Sequence, residues 1–191
     1  MATYKIDVDH SDIMFKVKHL MISTATGYFK KFDATVETEG DEFTNAKVYF
    51  EADIDSIDTK NADRDNHLKS DDFFNAAQFP KMTFKSTSIE KDGEGEYILK
   101  GDLTIRDITK PITLEVDYNG SAKDPYGNDR AGFEVTGKIN RKEFGLKWSA
   151  VTEAGGLVVD DIVKLQMNVE FIKQADKATA EAGQNAEAAT A

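Results

Sequence analysis

The 191-residue chain contains no cysteine. This absence excludes disulfide bonds, thiolate metal sites and cysteine nucleophiles, so the stability of the fold must come from packing. No stretch approaches the roughly 20 apolar residues of a membrane-spanning helix, and residues 1–7 have neither the basic nor the apolar region of a signal peptide. We therefore expect a cytoplasmic protein without an integral membrane segment, or a periplasmic one if a signal peptide has been removed.

Basic residues are in the minority: 24 Lys and Arg stand against 35 Asp and Glu, for a net charge of −11 at pH 7. Nucleic acid is bound mainly by clustered Lys and Arg that release counterions, so we expect no nucleic-acid partner. A local basic rim at Lys16, Lys18, Lys30 and Lys31 is open to two interpretations. The simpler one is a solvated strand face, and the other is a surface that meets a membrane or a donor protein.

Catalytic motifs are also missing. The chain has no Ser-His-acid spacing, no phosphate-binding loop and no dinucleotide-binding fingerprint. Acidic pairs such as Asp71-Asp72 and Asp160-Asp161 fit caps, turns or solvated faces in a chain with 31% charged residues. These absences favour a protein that is not an enzyme and needs no cofactor as a catalyst.

The three histidines, His10, His19 and His67, are the candidates for a zinc site. If residues 11–18 form one strand, His10 and His19 lie about 30 Å apart at roughly 3.3 Å per residue, and their opposite parity sends them to opposite faces. We therefore expect no metal site.

Apolar and polar residues alternate along most of the chain. The alternating apolar sets are Ile13, Phe15, Val17; Leu103, Ile105; Ile112, Leu114, Val116, Tyr118; Phe133, Val135, Ile139; and Val163, Leu165, Met167, Val169, Phe171. A period of two gives each strand one apolar and one solvated face, which is typical of antiparallel sheets. Turn residues separate about eight such strands, which form either a closed barrel or a sandwich.

Residues 59–74 interrupt the strands with a charged segment that fits a short helix. Thr59 or Asn61 supplies the N-cap, acidic residues follow in the first turns, and helical spacing puts Arg64 and His67 on one face.

The strand pattern ends at Lys173. Residues 174–191 are rich in Ala and contain no aromatic or branched apolar side chain, so they bury little surface. We divide the chain into a barrel at 1–173 and a disordered Ala-rich tail at 174–191.

Six ordered motifs within roughly residues 3–172 resemble the YceI-like family. They are Asp9-His10-Ser11, Val17-Lys18-His19-Leu20, and the stretches 27–32, 64–74, 79–86 and 141–146. Several ordered motifs at natural spacing argue against a chance match. Asp107 departs from the pattern, because the family usually has Gly there; if the turn needs a positive φ, Asp tolerates it better than most residues.

The resemblance implies an all-β, antiparallel, eight-stranded, lipocalin-like barrel with an apolar lumen that binds polyisoprenoid chains, including isoprenoid quinones. Each buried methylene contributes about 0.8 kcal/mol, so roughly ten to fifteen of them provide useful affinity after ordering costs. The predicted ligand-binding residues are Phe15, Val17, His19, Phe29, Phe32, Phe50, Arg64, His67, Phe73, Phe74, Phe84, Leu103, Leu114, Phe133, Arg141, Trp148, Leu165 and Met167.

Four polar residues in this set have more specific predictions. His19 shares the parity of the apolar positions in its strand, so we expect it to point inward near a barrel end and to bond a ligand head group. Arg64 and His67 are predicted to close the other end or to bind a quinone carbonyl, with Arg141 as a further donor. The alternatives are a backbone-bonded histidine and a buried salt-bridge network that anchors the helix.

The preferred hypothesis is a protein that carries or stores a long-chain isoprenoid lipid or quinone as its bound ligand and does not transform it. Two alternatives stay open. One is a small-molecule isomerase or lyase that uses His and Arg groups in the barrel, and the other is a stress-related interaction module with a solid core. A homodimer formed through an exposed edge strand or through residues 59–74 is also open.

Overall fold

A computed structural model describes residues 1–40, 43–156 and 158–175. Antiparallel strands dominate this part of the chain. They are β1 (Ala2–Ile6), β2 (Asp12–His19), β3 (Ser23–Phe29), β4 (Phe32–Thr38), β5 (Lys47–Asp53), β6 (Ile57–Asp58), β7 (Lys81–Lys91), β8 (Glu96–Ile105), β9 (Ile108–Lys123), β10 (Asp129–Asn140) and β11 (Val159–Lys173). One α-helix, α1, spans Ala62–Lys69, and short 3₁₀ turns lie at Val8–His10, Ile54–Ser56 and Arg141–Phe144.

Hydrogen bonds close the sheet into a barrel. β1 pairs with both β4 and β11, and the ring runs β1-β4-β5-β7-β8-β9-β10-β11 and back to β1. This is the closed eight-stranded antiparallel barrel that the sequence predicted, so the sandwich is excluded.

Three positions of the ring are composite, because each consists of two strands joined by a kink. The first position consists of β1 and β2, which pair with successive parts of β11. The second consists of β3 and β4, which pair with β2 and β1, and the third consists of β5 and β6, which pair with β4 and β3. Backbone bonds tie two kinks together, from Lys30 N to Ser56 O at 3.1 Å and from Asp53 N to Lys31 O at 2.9 Å. The barrel is therefore an up-and-down meander, in which neighbours in sequence are neighbours in space.

The alternation in the sequence corresponds to the inner and outer faces of the wall. In β8, Tyr97, Leu99, Gly101, Leu103 and Ile105 are buried, and the residues that alternate with them are exposed or half-buried. Gly101 continues the inward series because the Phe84 ring and the Lys85 carbonyl occupy the space of a side chain. Burial of this face supplies most of the driving force for folding.

The predicted helical segment is confirmed, with a shorter helix than residues 59–74. Asn61 is the N-cap, and its side chain accepts a bond from Arg64 N at 3.0 Å. The helix ends where Ser70 N and Oγ both donate to His67 O. Among the described residues, no helix has both the length and the apolar character needed to cross a bilayer.

Residues 70–79 continue as turns that are fixed to the barrel. Arg106, between β8 and β9, donates to Phe73 O at 2.9 Å and to Asp71 O at 3.0 Å. The positive φ of this turn, +56°, falls on Arg106 and not on Asp107. The barrel end covered by α1 and residues 70–79 is called the helix end below, and the opposite end is called the far end.

β11 ends at Lys173, and Gln174 N donates to Thr3 O at 2.8 Å. Of the predicted tail, residues 176–191 lie outside the described residues.

Candidate functional site

An apolar cavity of about 230 Å³ lies inside the barrel. Side chains from all eight strands of the ring line it, and Arg141 is the single polar residue among the lining residues that the structure describes. A wall of this kind offers hydrocarbon contacts and almost no hydrogen-bond partners, so it favours an apolar ligand and penalises a polar one.

Most of the residues predicted to bind ligand lie on this wall. They are Phe15, Val17, Phe29, Phe50, Phe73, Phe74, Phe84, Leu103, Leu114, Phe133, Arg141, Leu165 and Met167. Strand alternation places the β-strand members inside, whereas Phe73 and Phe74 reach the cavity from the turns after α1. Their contact with a ligand stays a prediction.

Further lining residues were not predicted as ligand contacts. They include Ile13, Val36, Phe43, Val48, Ile89, Val135, Val163 and Phe171. Several of these belong to the alternating sets, so the sequence signal was present. The prediction of ligand contacts favoured aromatic residues, whereas in the closed barrel every inward aliphatic side chain can also reach the cavity.

The prediction that His19 points inward is wrong. His19 is exposed and borders a polar depression on the outer surface. It is the last residue of β2, opposite Val159, and the register of β11 shifts between Val159 and Val163. At this rim, the odd or even position of a residue along β2 therefore no longer predicts whether its side chain faces the lumen.

Phe32 and Arg64 are also absent from the cavity wall. Phe32 packs against the hydrophobic core just after the kink at Lys30 and Lys31, which interrupts the alternation. Arg64 is exposed on α1, and its guanidinium donates back to Thr59 Oγ1 and Thr59 O, both at 2.8 Å. Arg64 therefore caps local structure and does not close the cavity.

His67 and Trp148 lie one layer outside the wall, at the helix end. The His67 ring lies 5.1 Å from the Phe73 ring and 5.0 Å from the Trp148 ring, and the three form a compact aromatic cluster. His67 Nε2 lies 2.8 Å from Asp72 Oδ2, and its side chain is 39% exposed. This cluster joins a polar, solvent-facing edge to the lining residue Phe73.

Arg141 is buried, with 2% exposure, and its guanidinium holds two separate loops. Nη1 donates to Leu146 O and Trp148 O, both at 2.7 Å, and Nε donates to Asp160 O at 2.9 Å. Nη2 makes two longer bonds of 3.4 Å, one of them to Asp161 Oδ1. The predicted ligand donor is thus a structural tie between residues 146–148 and the start of β11, with only Nη2 loosely held.

Desolvation of the Arg141 guanidinium lowers its pKa from the usual value, and the nearby carboxylates of Asp161 and Asp160 oppose this shift. An arginine keeps its proton even so. Arg141 therefore places one positive charge beside an otherwise apolar cavity.

Among the described residues, aromatic rings pack across the far end. Phe43 lies 5.5 Å from Tyr4, 5.5 Å from Tyr118 and 4.8 Å from Phe133, and Phe133 also contacts Phe171. All but Tyr118 are buried. At the helix end, His67 and Trp148 are half-buried.

Arg130 joins three carboxylates near the far end. Its Nη1 contacts Asp7 Oδ2 at 2.6 Å and also Glu170, and its Nε contacts Asp124 Oδ2 at 2.7 Å. Asp7, His10 and Glu170 have the spacing of metal ligands, but the Arg130 guanidinium already supplies the positive charge between the two carboxylates. The arrangement is better explained as an ion-pair cluster than as a metal site.

The YceI-like domain model matches residues 4–171. A UPF0312 protein of Staphylococcus epidermidis is 40% identical over 172 residues, which cover 90% of this chain and 98% of that protein. The crystal structure of a Campylobacter jejuni YceI protein has a TM-score of 0.69 at 34% identity, covering 83% of this chain and 90% of that one.

A polyisoprenoid-binding domain from Saccharophagus degradans has the same fold, with a TM-score of 0.64. Its identity is 14%, and the match covers 90% of this chain and 98% of that domain. At this identity the likeness concerns the fold alone.

Proposed function

The chain belongs to the YceI-like family, and from this membership and its apolar cavity we propose that the protein binds a polyisoprenoid lipid inside the barrel. The observation that carries the proposal is the lining, which is apolar at every described position except Arg141. The polyisoprenoid-binding domain of Saccharophagus degradans, which shares the fold, supports it.

The chemistry of the wall suits a long hydrocarbon chain. Burial of each methylene contributes about 0.8 kcal/mol, so roughly ten to fifteen methylenes contribute about 8–12 kcal/mol before ordering costs. Met82 and Met167 line the cavity, and their unbranched side chains adapt to an irregular ligand surface. No reactive group is needed for such binding.

We further propose that the head group is a quinone or another small polar group, and that it lies at the helix end. There His67, Trp148 and the loosely held Nη2 of Arg141 are the polar neighbours of Phe73. In this proposal the protein transports or stores the lipid and does not transform it, because binding uses contacts along the whole wall and no catalytic group.

The test is mass spectrometry of an organic extract from protein purified without detergent, with native mass spectrometry of the same sample. We expect an isoprenoid or quinone in stoichiometric amount. An empty extract, combined with no uptake of an added polyprenyl lipid, would refute the proposal.

A further inference from the structure

We propose that the β2–β3 hairpin docks the protein onto a membrane surface that contains anionic lipids, with Leu20, Met21 and Ile22 inserted among the headgroups. This is a surface on the outside of the barrel. The proposal goes beyond lipid binding in the cavity and does not depend on the cavity being filled.

The hairpin tip exposes three consecutive large apolar side chains. Leu20 is 38% exposed, Met21 56% and Ile22 84%. Leu20 N donates to Val158 O at 2.9 Å, which holds the tip beside the loop that carries Val151, itself 68% exposed. Elsewhere in the described chain, exposed large apolar side chains are not consecutive. Such a patch is typical of a surface that meets a protein or a membrane.

The backbone of the tip is strained. Leu20 has φ +51° and Met21 has φ +60°, and Ile22 N donates to His19 O at 3.2 Å. Two consecutive positive φ values are those of a type I′ hairpin turn, which favours Asn and Gly. Leu and Met are disfavoured at both positions, so the turn costs conformational energy that the fold alone does not require. Bulky apolar side chains held in this conformation and facing solvent point to a role outside the fold.

The part of the hairpin nearest the tip is free of acidic residues, in a chain whose net charge is −11. Residues 13–29 of the hairpin contain no Asp or Glu and carry Lys16 and Lys18, and Lys30 and Lys31 follow directly after β3. Anionic membrane surfaces attract segments of this kind.

Beside the tip lies a polar depression whose described lining has cationic and hydroxyl groups and no carboxylate. Its residues are Met14, Lys16, His19, Ser23, Thr24, Ala25, Thr26, Tyr28, Thr59, Lys60 and Arg64. Lys16 Nζ donates to the neutral Gln166 Oε1 at 2.9 Å, and Arg64 donates to Thr59. By contrast, Lys5 and Lys123 on other strands pair with carboxylates at 3.0 and 2.8 Å. The depression therefore offers cations to an anionic headgroup.

The tip lies at the helix end of the barrel. His19, at the base of the tip, pairs with Val159, which lines the cavity, and Val17 lines it two residues earlier. A protein docked through the tip has the helix end of the barrel close to the membrane surface. The cations of the depression and the apolar side chains of the tip then face the same membrane surface.

The test is flotation of the full chain with vesicles of phosphatidylcholine alone and of phosphatidylcholine mixed with phosphatidylglycerol, neither containing isoprenoid. We expect the protein to bind the mixed vesicles, and salt to weaken this binding. The triple variant Leu20→Asn, Met21→Gly, Ile22→Thr should reduce binding by about tenfold or more, because it removes the inserted area. Its thermal stability should not fall, since Asn-Gly suits the turn.

Two controls match these changes. Tyr126→Ser removes an 89% exposed side chain from the β9–β10 turn at the far end and should leave flotation unchanged. Lys16→Gln with Lys18→Gln should weaken flotation, whereas Lys47→Gln with Lys91→Gln, the same change in net charge on the far half of the barrel, should not.

Absence of binding to mixed vesicles, or equal binding by the triple variant, would overturn the proposal. The protein could instead bind both kinds of vesicle equally, with no effect of the Lys16 and Lys18 substitutions. That result would overturn the assignment of an anionic membrane surface. If flotation fails while the organic extract contains isoprenoid, only the docking surface is wrong.

Discussion

The ring of Phe15 lies over Gly27 on the neighbouring strand. The two residues are paired in the β2–β3 ladder, and a Cβ added at Gly27 would overlap the Phe15 ring. Phe15 lines the cavity and packs on Phe29 with the ring centroids 5.7 Å apart. The missing side chain at Gly27 thus determines where a lining aromatic ring can lie.

Replacing Gly27 by Ala should displace the Phe15 ring, destabilise the fold by about 1–3 kcal/mol and alter ligand uptake, because overpacking moves neighbouring side chains. Chemical denaturation and uptake of a polyprenyl lipid measure the two effects. Gly132→Ala is the matched control, since a Cβ there meets only Asn119 Cβ at 3.8 Å. Equal effects of the two substitutions would contradict the role of Gly27.

Leu165→Trp or Met167→Trp should block the lumen and reduce lipid uptake, at a cost of about 1–3 kcal/mol for overpacking. Both residues line the cavity. Lys164→Trp, at an exposed position of the same strand, should leave uptake unchanged. Uptake is measured with an isotopically labelled polyprenyl lipid, on variants whose circular dichroism matches the parent. Normal uptake by a folded Leu165→Trp or Met167→Trp protein would argue against a ligand in the lumen.

Arg141→Met should lower the free energy of unfolding by about 3–5 kcal/mol, because it removes one partner of a buried charged network and leaves carbonyl groups unpaired. Arg141→Lys should rescue little, since one ammonium group cannot replace the guanidinium fork. Lys142→Met breaks a 3.0 Å pair with Asp161 in a half-exposed setting and should cost less than about 1 kcal/mol. Urea denaturation gives these values, and a small loss for Arg141→Met would show that the tie is dispensable.

The Arg130 cluster should make stability fall in acid. Burial raises the pKa of Asp7, but bonds from Arg130 and His10 outweigh burial and hold that pKa below its ordinary value. Bonds from Asn128 and Arg130 likewise lower the pKa of Asp124. A carboxyl group whose pKa is lower in the folded state stabilises the protein above the unfolded pKa of about 3.9, and this contribution is lost as the pH falls through the folded value.

Melting temperatures of the parent and of Arg130→Gln, measured from neutral pH to acid, test whether this stabilisation is lost as the pH falls. The difference between the two proteins should be largest above about pH 5 and should shrink below about pH 4 as the carboxylates take up protons. Lys110→Gln, at an exposed position, is the control and should follow the parent. A difference that stays constant into strong acid would mean that Arg130 stabilises the fold by packing alone.

Much of the barrel was predictable because its signals are local. The alternation in 163–171 and 112–118 predicts which side chains share a face, and the Asn61 N-cap predicts where α1 begins. The motifs that resemble the YceI-like family then distinguished a barrel from a sandwich, which periodicity alone did not.

The wrong predictions have different physical causes. His19 has the parity of an inward residue, but it lies at the rim, where the register of β11 shifts. Arg64 bonds to Thr59 within its own segment, and Phe32 follows a kink that interrupts the alternation. The register shift depends on a distant strand and has no signal in the nearby sequence, whereas the bond from Arg64 to Thr59 is local.

The sequence by itself determined the fold class, the apolar character of the interior and the absence of thiol chemistry, because these follow from composition and from a period of two along each strand. Only the tertiary structure decided that Arg141 joins two loops beside the cavity, that Tyr4, Phe43 and Phe133 pack across one end, and that Leu20–Ile22 project beside the other. Each of these depends on strand register and on contacts between residues far apart in the chain, which local periodicity does not encode.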